Sequence, residues 1–124
     1  MKELNFYKLP FHRLQGSDRV YDANSNFIFQ FESKFTKDGN FVPGLLELQN
    51  YVIDSLNNDN KPEKKLDLTF NEDDVNVILL SEKPFITIRG WGNLTGSGAH
   101  RMPPDRAAKI QDDLRDYIIS KFTE

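Results

Sequence analysis

The sequence predicts an α+β domain: an antiparallel sheet of four to five strands with two amphipathic helices packed on one face, in the order strands, helix, strands, helix. Three observations predict it. Short runs that alternate apolar and polar residues, such as Phe27 to Glu32 and Leu66 to Phe70, are set off by clusters of turn formers. Two longer stretches, Leu45 to Leu56 and Ala107 to Phe122, repeat their apolar residues at helical spacing. The chain has 124 residues, 38% hydrophobic and 28% charged, the size and balance of a single globular domain spanning 1–124.

The elements follow in order. Asn5 to Leu14 mixes aromatic and basic residues around Pro10 and reads as an edge strand or extended arm. Gly16-Ser17-Asp18 is a turn, and Arg19-Val20-Tyr21 leads through Asp22-Ala23-Asn24-Ser25-Asn26 into a second strand, Phe27 to Glu32. Strand alternation puts Phe27, Phe29 and Phe31 on one face, the expected buried one, and Ile28, Gln30 and Glu32 on the other. After Lys37-Asp38-Gly39-Asn40, Pro43 suits the first turn of a helix carrying Leu45, Leu48, Val52 and Leu56 on one stripe. Asn57-Asn58-Asp59-Asn60 ends that helix, and Lys61 to Lys65 is a polar connector.

Leu66, Leu68 and Phe70 then alternate with polar neighbours, and Val75 to Leu80 and Phe85 to Arg89 form a hairpin about Ser81-Glu82-Lys83-Pro84. The last helix opens at Pro103-Pro104-Asp105 and buries Ala107, Ile110, Leu114, Tyr117, Ile118 and Phe122, leaving Asp112, Asp113, Arg115 and Asp116 largely toward solvent. Two strands-then-helix units suggest a duplication, yet no residue-level similarity joins them.

Composition excludes several chemistries. Without cysteine there are no disulfides, thiolate metal sites or cysteine nucleophiles, and a reducing compartment is compatible with that. Met1 to Phe6 lacks the apolar run of a signal peptide, and no stretch reaches the ~18 apolar residues of a membrane span, so the expectation is a cytoplasmic protein without membrane contact. A net charge of -3 makes nucleic acid an unlikely partner.

One stretch concentrates candidate chemistry. Arg89 to Arg101 holds four of the seven glycines, the only tryptophan and one of two histidines, between a strand and a helix N-terminus. Backbone N–H groups and the helix dipole favour an anion there. Arg89, His100 and Arg101 could supply charge and Thr95 and Ser97 hydroxyl groups, with Trp91 among the candidate ligand-binding residues. The stretch is no phosphate-binding P-loop, because no Gly-Lys-Ser/Thr follows. The spacing Gly90, Gly92, Gly96 also carries one residue too many for the dinucleotide fingerprint. Two readings stay open: a site for a phosphate or nucleotide, or a crossover that needs glycine for close passage while Trp91 caps the core.

Other constellations are weaker. His12 or His100 as a catalytic base would need a positioned nucleophile, and no such pattern surrounds them. Asp112 and Asp113 are adjacent and diverge on a helix, and Asn71 to Asp74 lacks the spacing of a calcium loop, so no metal and no cofactor is expected. Lys61, Lys64 and Lys65 read as a surface linker. Phe6, Tyr7, Phe11, His12 and Arg13 mix rings with charge as base-stacking surfaces do, although a strand packing its aromatics into the core explains them without nucleic acid.

The run Ile88 to Gly98, the following Ala107 to Asp113 and the Asp22 to Phe27 hairpin together resemble short proteins of Bacteroides-type bacteria and of their phages or mobile elements. That resemblance covers about half of the chain and implies a setting in which small accessory proteins bind a macromolecule. The expectation is therefore a non-enzymatic binding or accessory protein, acting on an unidentified macromolecular partner or as a homodimer through the open sheet face or an edge strand. On that face Ile28, Val75 or Val77 would form an apolar patch. The alternative is a small-molecule binder or enzyme that uses the glycine-rich loop.

Overall fold

A computed structural model describes residues 7–13, 17–32, 44–58, 62–88 and 104–123. Six strands and two helices follow in the order β1 (His12–Arg13), β2 (Arg19–Tyr21), β3 (Phe27–Phe31), α1 (Leu45–Leu56), β4 (Leu68–Phe70), β5 (Val77–Leu80), β6 (Lys83–Ile88) and α2 (Pro104–Thr123). The expected α+β class holds, with six strands where four to five were anticipated. The sheet is antiparallel throughout, ordered β1-β2-β3-β6-β5-β4. Each half is a meander of neighbours in sequence, and the halves meet where Phe29, Gln30 and Phe31 pair with Ile88, Thr87 and Ile86.

Turn chemistry sets the hairpins. In the β2–β3 loop the buried Asp22 carboxylate accepts from the N–H groups of Asn24 and Asn26 at 2.9 Å each, from Asn26 Nδ2 at 3.2 Å and from the Lys8 N–H at 3.4 Å. It replaces the water those donors would otherwise need. The β5–β6 turn is tighter than expected: Ser81 and Glu82 both take positive φ, 50° and 71°, and the strand resumes at Lys83. Right-handed strand twist favours this two-residue geometry even though neither residue suits it well.

Both helices bury their stripes in one core with the sheet. α1 begins at Leu45 after Gly44, whose φ of 80° glycine tolerates; Pro43, expected in the first turn, lies outside the described residues. The C-terminal end of α1 is held from three sides. Asn57 accepts the Phe11 N–H at 2.6 Å and donates Nδ2 to the Phe11 carbonyl at 2.8 Å, imitating a strand partner. The Tyr117 hydroxyl donates to the Leu56 carbonyl at 3.0 Å, and the buried Lys121 ammonium donates to the Asn58 carbonyl. Carbonyls left over at a helix C-terminus attract donors and positive charge, and α2 supplies both. Tyr51 fixes the polar connector by accepting the Lys64 N–H at 2.8 Å.

Two expectations about side-chain direction are corrected. Phe27, Phe29 and Phe31 do not share a face, because Val20 pairs with Phe29 but Tyr21 with Phe27, so Ile28 is an extra residue in β3. The resulting bulge sends Phe27 to the opposite side and leaves Ile28 at 0% exposure, so Ile28 forms no outer patch. Arg115 does not point to solvent: its side chain is 13% exposed, its guanidinium lies 4.7 Å over the Phe70 ring and it pairs with Asp112 and Asp116. A flat, weakly hydrated cation on an aromatic face gains from both contacts.

The meanders superpose in plan. A two-fold relation through the Gln30–Thr87 pair carries Val20 onto Ile78, Phe29 onto Ile86 and Tyr21 onto Leu79. It also carries the Ile28 bulge onto a second one, where Ile78 pairs with Ile86 but Leu79 with Pro84, leaving Phe85 as the extra residue. Both extra residues are buried, Ile28 completely and Phe85 at 3% exposure. The repeat lies in backbone register and apolar pattern, while residue identities differ.

Candidate functional site

The outer sheet face

Register decides what each face carries. Val20, Phe29, Phe31, Ile78, Ile86 and Ile88 point to the helices and are buried. On the other face a central row, Arg19–Gln30–Thr87–Val77, crosses four strands, and all four residues are at least partly exposed. Beyond the β3 bulge, His12, Tyr21 and Phe27 form a second row at one corner; beyond the β6 bulge, Thr69, Leu79 and Pro84 occupy the opposite corner. Among the described residues, both helices lie on the other side of the sheet.

The first corner is an aromatic ladder. The His12 and Tyr21 rings stack at 6.0 Å with 25° between planes, and Tyr21 meets Phe27 at 5.5 Å and 34°. The Arg19 guanidinium lies 5.2 Å over the Phe27 ring. His12 and Arg19 are exposed, and Tyr21 and Phe27 are half-buried. Such a set offers π-faces, one permanent cation and one imidazole at modest conformational cost, the residue types that anchor binding surfaces. At the seam the Thr87 hydroxyl donates to Glu32 at 2.6 Å.

The internal repeat supplies a control for this corner. His12, Arg19, Tyr21 and Phe27 correspond to Thr69, Val77, Leu79 and Pro84 of the second meander. Backbone geometry and sheet face are matched, and the second set shows that ordinary strand and bulge residues satisfy the fold there. The fold alone therefore gives no reason for an imidazole, a guanidinium and two rings in the first.

The glycine-rich candidates, Arg89, Trp91, Thr95, Ser97, His100 and Arg101, lie outside the described residues; β6 ends at Ile88 and α2 begins at Pro104. The N-terminal aromatic–basic group divides. His12 turns outward, while Tyr7 and Phe11 are buried and Phe11 packs edge-on against Phe29 at 6.4 Å. Arg13 turns toward the helix side, 5.2 Å over the Phe31 ring, with Nε and Nη2 buried and without hydrogen-bond partners among the described residues. Burial pulls its guanidinium below the ordinary arginine value, with Asp18 opposing. Val75 is 41% exposed at the β4–β5 turn, where its carbonyl accepts from Arg115, and Val77 is half-buried on the outer face.

Sequence reading flagged His12 but missed Arg19, Tyr21 and Phe27 as a group. The usable signal was the period-two spacing of Arg19 and Tyr21 beside an aromatic strand; the missing one was the bulge. Among the described residues no group of three or more His, Asp or Glu is placed to hold a metal ion. None of the described helices is long and apolar enough to cross a membrane. No protein family, curated protein or solved structure matches the chain.

Proposed function

We propose that this chain is a non-enzymatic binding protein whose working surface is the aromatic ladder of the outer sheet face, through which it engages a macromolecular partner. One observation carries the reading. Positions equivalent by the internal two-fold hold Thr69, Val77 and Leu79 in one half and His12, Arg19 and Tyr21 in the other, so recognition accounts for a difference that the fold does not require. Tyrosine and arginine are among the side chains most enriched where binding energy concentrates, because each presents a large area with few freely rotating bonds or with a rigid donor fork.

The test exploits the same equivalence. A photo-reactive amino acid at His12 is compared with one at Thr69 in living source cells, and a His12→Thr/Arg19→Val/Tyr21→Leu variant converts the ladder into its counterpart. The reading expects a discrete adduct from position 12, weaker or none from position 69, and loss of the adduct in the variant with stability changed by less than ~1 kcal/mol. Equal labelling at both positions, or a variant that unfolds, would mean that the ladder is structural.

A further inference from the structure

From the outer face we infer that the partner is a single-stranded nucleic acid, its bases stacked on the ladder and a phosphate held at Arg19; this rests on the reading above. The internal two-fold shows what the ladder adds. Val77, Leu79 and Pro84 already offer apolar area at the opposite corner, so a partner that needed only apolar contact would be served by those residue types at both. Each exchange toward the ladder instead gains a π-system or a positive charge: Thr69 to His12, Val77 to Arg19, Leu79 to Tyr21 and Pro84 to Phe27. The complement of rings beside a cation is a flat aromatic group that carries an anion, and every nucleotide unit is both. In a duplex the base faces cover one another, so only an unpaired strand presents them to an open sheet. His12, Tyr21 and Phe27 stand on the adjacent strands β1, β2 and β3, so a strand laid across the sheet meets the rings in succession.

Local charge suits an anion although the chain carries -3 overall. On the outer face Arg19 and Glu32 cancel in sum but not in place. The Arg19 guanidinium leans over Phe27, whereas the Glu32 carboxylate turns to the seam and accepts from Thr87 at 2.6 Å. With the bulged Ile28 adding no length, Glu32 lies roughly 13 Å along the strand from Phe27 at ~3.3 Å per residue, beyond the ~8 Å screening length of physiological salt. The acids beside the ladder in sequence are engaged: Asp22 is buried and accepts from four donors, and Asp18 is drawn to Arg13. Exposed Asp67 lies beside β4 at the far edge, Glu72, Asp73 and Asp74 on the β4–β5 turn, and Glu47, Asp54 and Asp105 on the helices. Exposed Lys8, tied by its backbone to Asp22 and Ala23, flanks the ladder corner with a second cation. One or two phosphate contacts give a slope of log affinity on log salt of about -0.7 to -1.4, so stacking carries most of the affinity.

Fluorescence anisotropy of a labelled single strand of about eight nucleotides and mixed sequence, made as DNA and as RNA, tests the inference with the intact chain at about 1 to 500 µM. Saturable binding of at least one strand is expected in low salt. Tyr21→Leu keeps apolar area but removes the π-system, and is expected to weaken binding at least about five-fold, while Tyr21→Phe binds as wild type. Arg19→Val is expected to weaken binding and to flatten the salt slope by about 0.7. Arg19 is exposed, so its variant reads the site even where Tyr21→Leu costs stability. Leu79→Ala at the opposite corner is expected to change binding less than about two-fold. No binding of either strand overturns the inference, as does an equal loss from Tyr21→Leu and Leu79→Ala, or a salt slope unchanged in Arg19→Val. So does equal affinity for a duplex of the same sequence, or for a mononucleotide. A nuclease-resistant photo-adduct from position 12 with another protein would sink the nucleic-acid assignment while leaving the ladder as a binding surface; no adduct of any kind would sink both.

Discussion

Replacing Asn57 by alanine removes a side chain that joins the end of α1 to the strand lead-in. Two hydrogen bonds go, from the Phe11 N–H at 2.6 Å and to the Phe11 carbonyl at 2.8 Å. Each contributes about 1 kcal/mol net, and two backbone groups beside a ring that is only 2% exposed then lose their partners. The expected cost is about 2–4 kcal/mol. For a chain of 124 residues that lowers the melting temperature by about 8–15 °C, readable by calorimetry or far-UV circular dichroism. Asn57→Asp sharpens the test, because it keeps the acceptor for the Phe11 N–H but turns a second oxygen toward the Phe11 carbonyl. That acceptor–acceptor contact is relieved only when the carboxyl is protonated, so folding raises the pKa of the introduced group. The protonated form is then the one the native state prefers, and the deficit of this variant relative to wild type shrinks as pH falls through the carboxylate range. An alanine cost below about 0.5 kcal/mol, or an aspartate variant as stable as wild type at pH 7, would refute the assignment of the clamp.

Four further outcomes are expected. Asp22→Ala strips four donors of their acceptor and should destabilise by about 3 kcal/mol in urea titration, with Asp22→Asn costing less because it keeps one acceptor oxygen. Ser81→Asn/Glu82→Gly places residues that tolerate positive φ at 50° and 71°, and should raise stability by about 1 kcal/mol. Arg13→Met removes two buried guanidinium nitrogens that have no partner among the described residues, at the loss of one ring contact and of the attraction to Asp18, and should change stability by less than about 1 kcal/mol; a clear loss would mean that these nitrogens are satisfied in solution. If the glycine-rich loop holds an anion, phosphate or a nucleotide at 100 times its Kd stabilises the protein by about 2.7 kcal/mol, and Arg89→Ala/Arg101→Ala abolishes the shift; no shift with either leaves the loop structural.

Local patterns made much of this fold legible. The stripes Leu45 to Leu56 and Ala107 to Phe122 place both helices, and the turn clusters at Asp22 to Asn26 and Ser81 to Pro84 place the β2–β3 and β5–β6 hairpins, the second two residues too long, because those signals act within a few residues. The bulges were not legible. Phe27-Ile28-Phe29-Gln30-Phe31 reads as uninterrupted alternation, and only the register of the partner strand shows that one residue is inserted. Arg115 misled for a related reason: its helical position looks solvated until β4 brings Phe70 beneath it. The candidate site followed the same division. His12 was visible as an aromatic–basic neighbour, whereas its grouping with Arg19, Tyr21 and Phe27 depends on pairing across three strands.

The junction between the meanders also governs the order in which the chain can assemble. Within each meander every pairing joins strands adjacent in sequence, so little chain entropy is lost in closing them. The β3–β6 contact joins Phe29 to Phe31 with Ile86 to Ile88 across the whole of α1, β4 and β5, and is the principal long-range closure of the sheet. Contacts of large sequence separation limit folding rates, so this seam is the expected bottleneck, and substitutions at Gln30 or Thr87 should slow folding more than equal losses within either meander. The same three pairs turn two local hairpin systems into one cooperative unit; weakening them would let hydrogen exchange in the two halves proceed with separate opening energies.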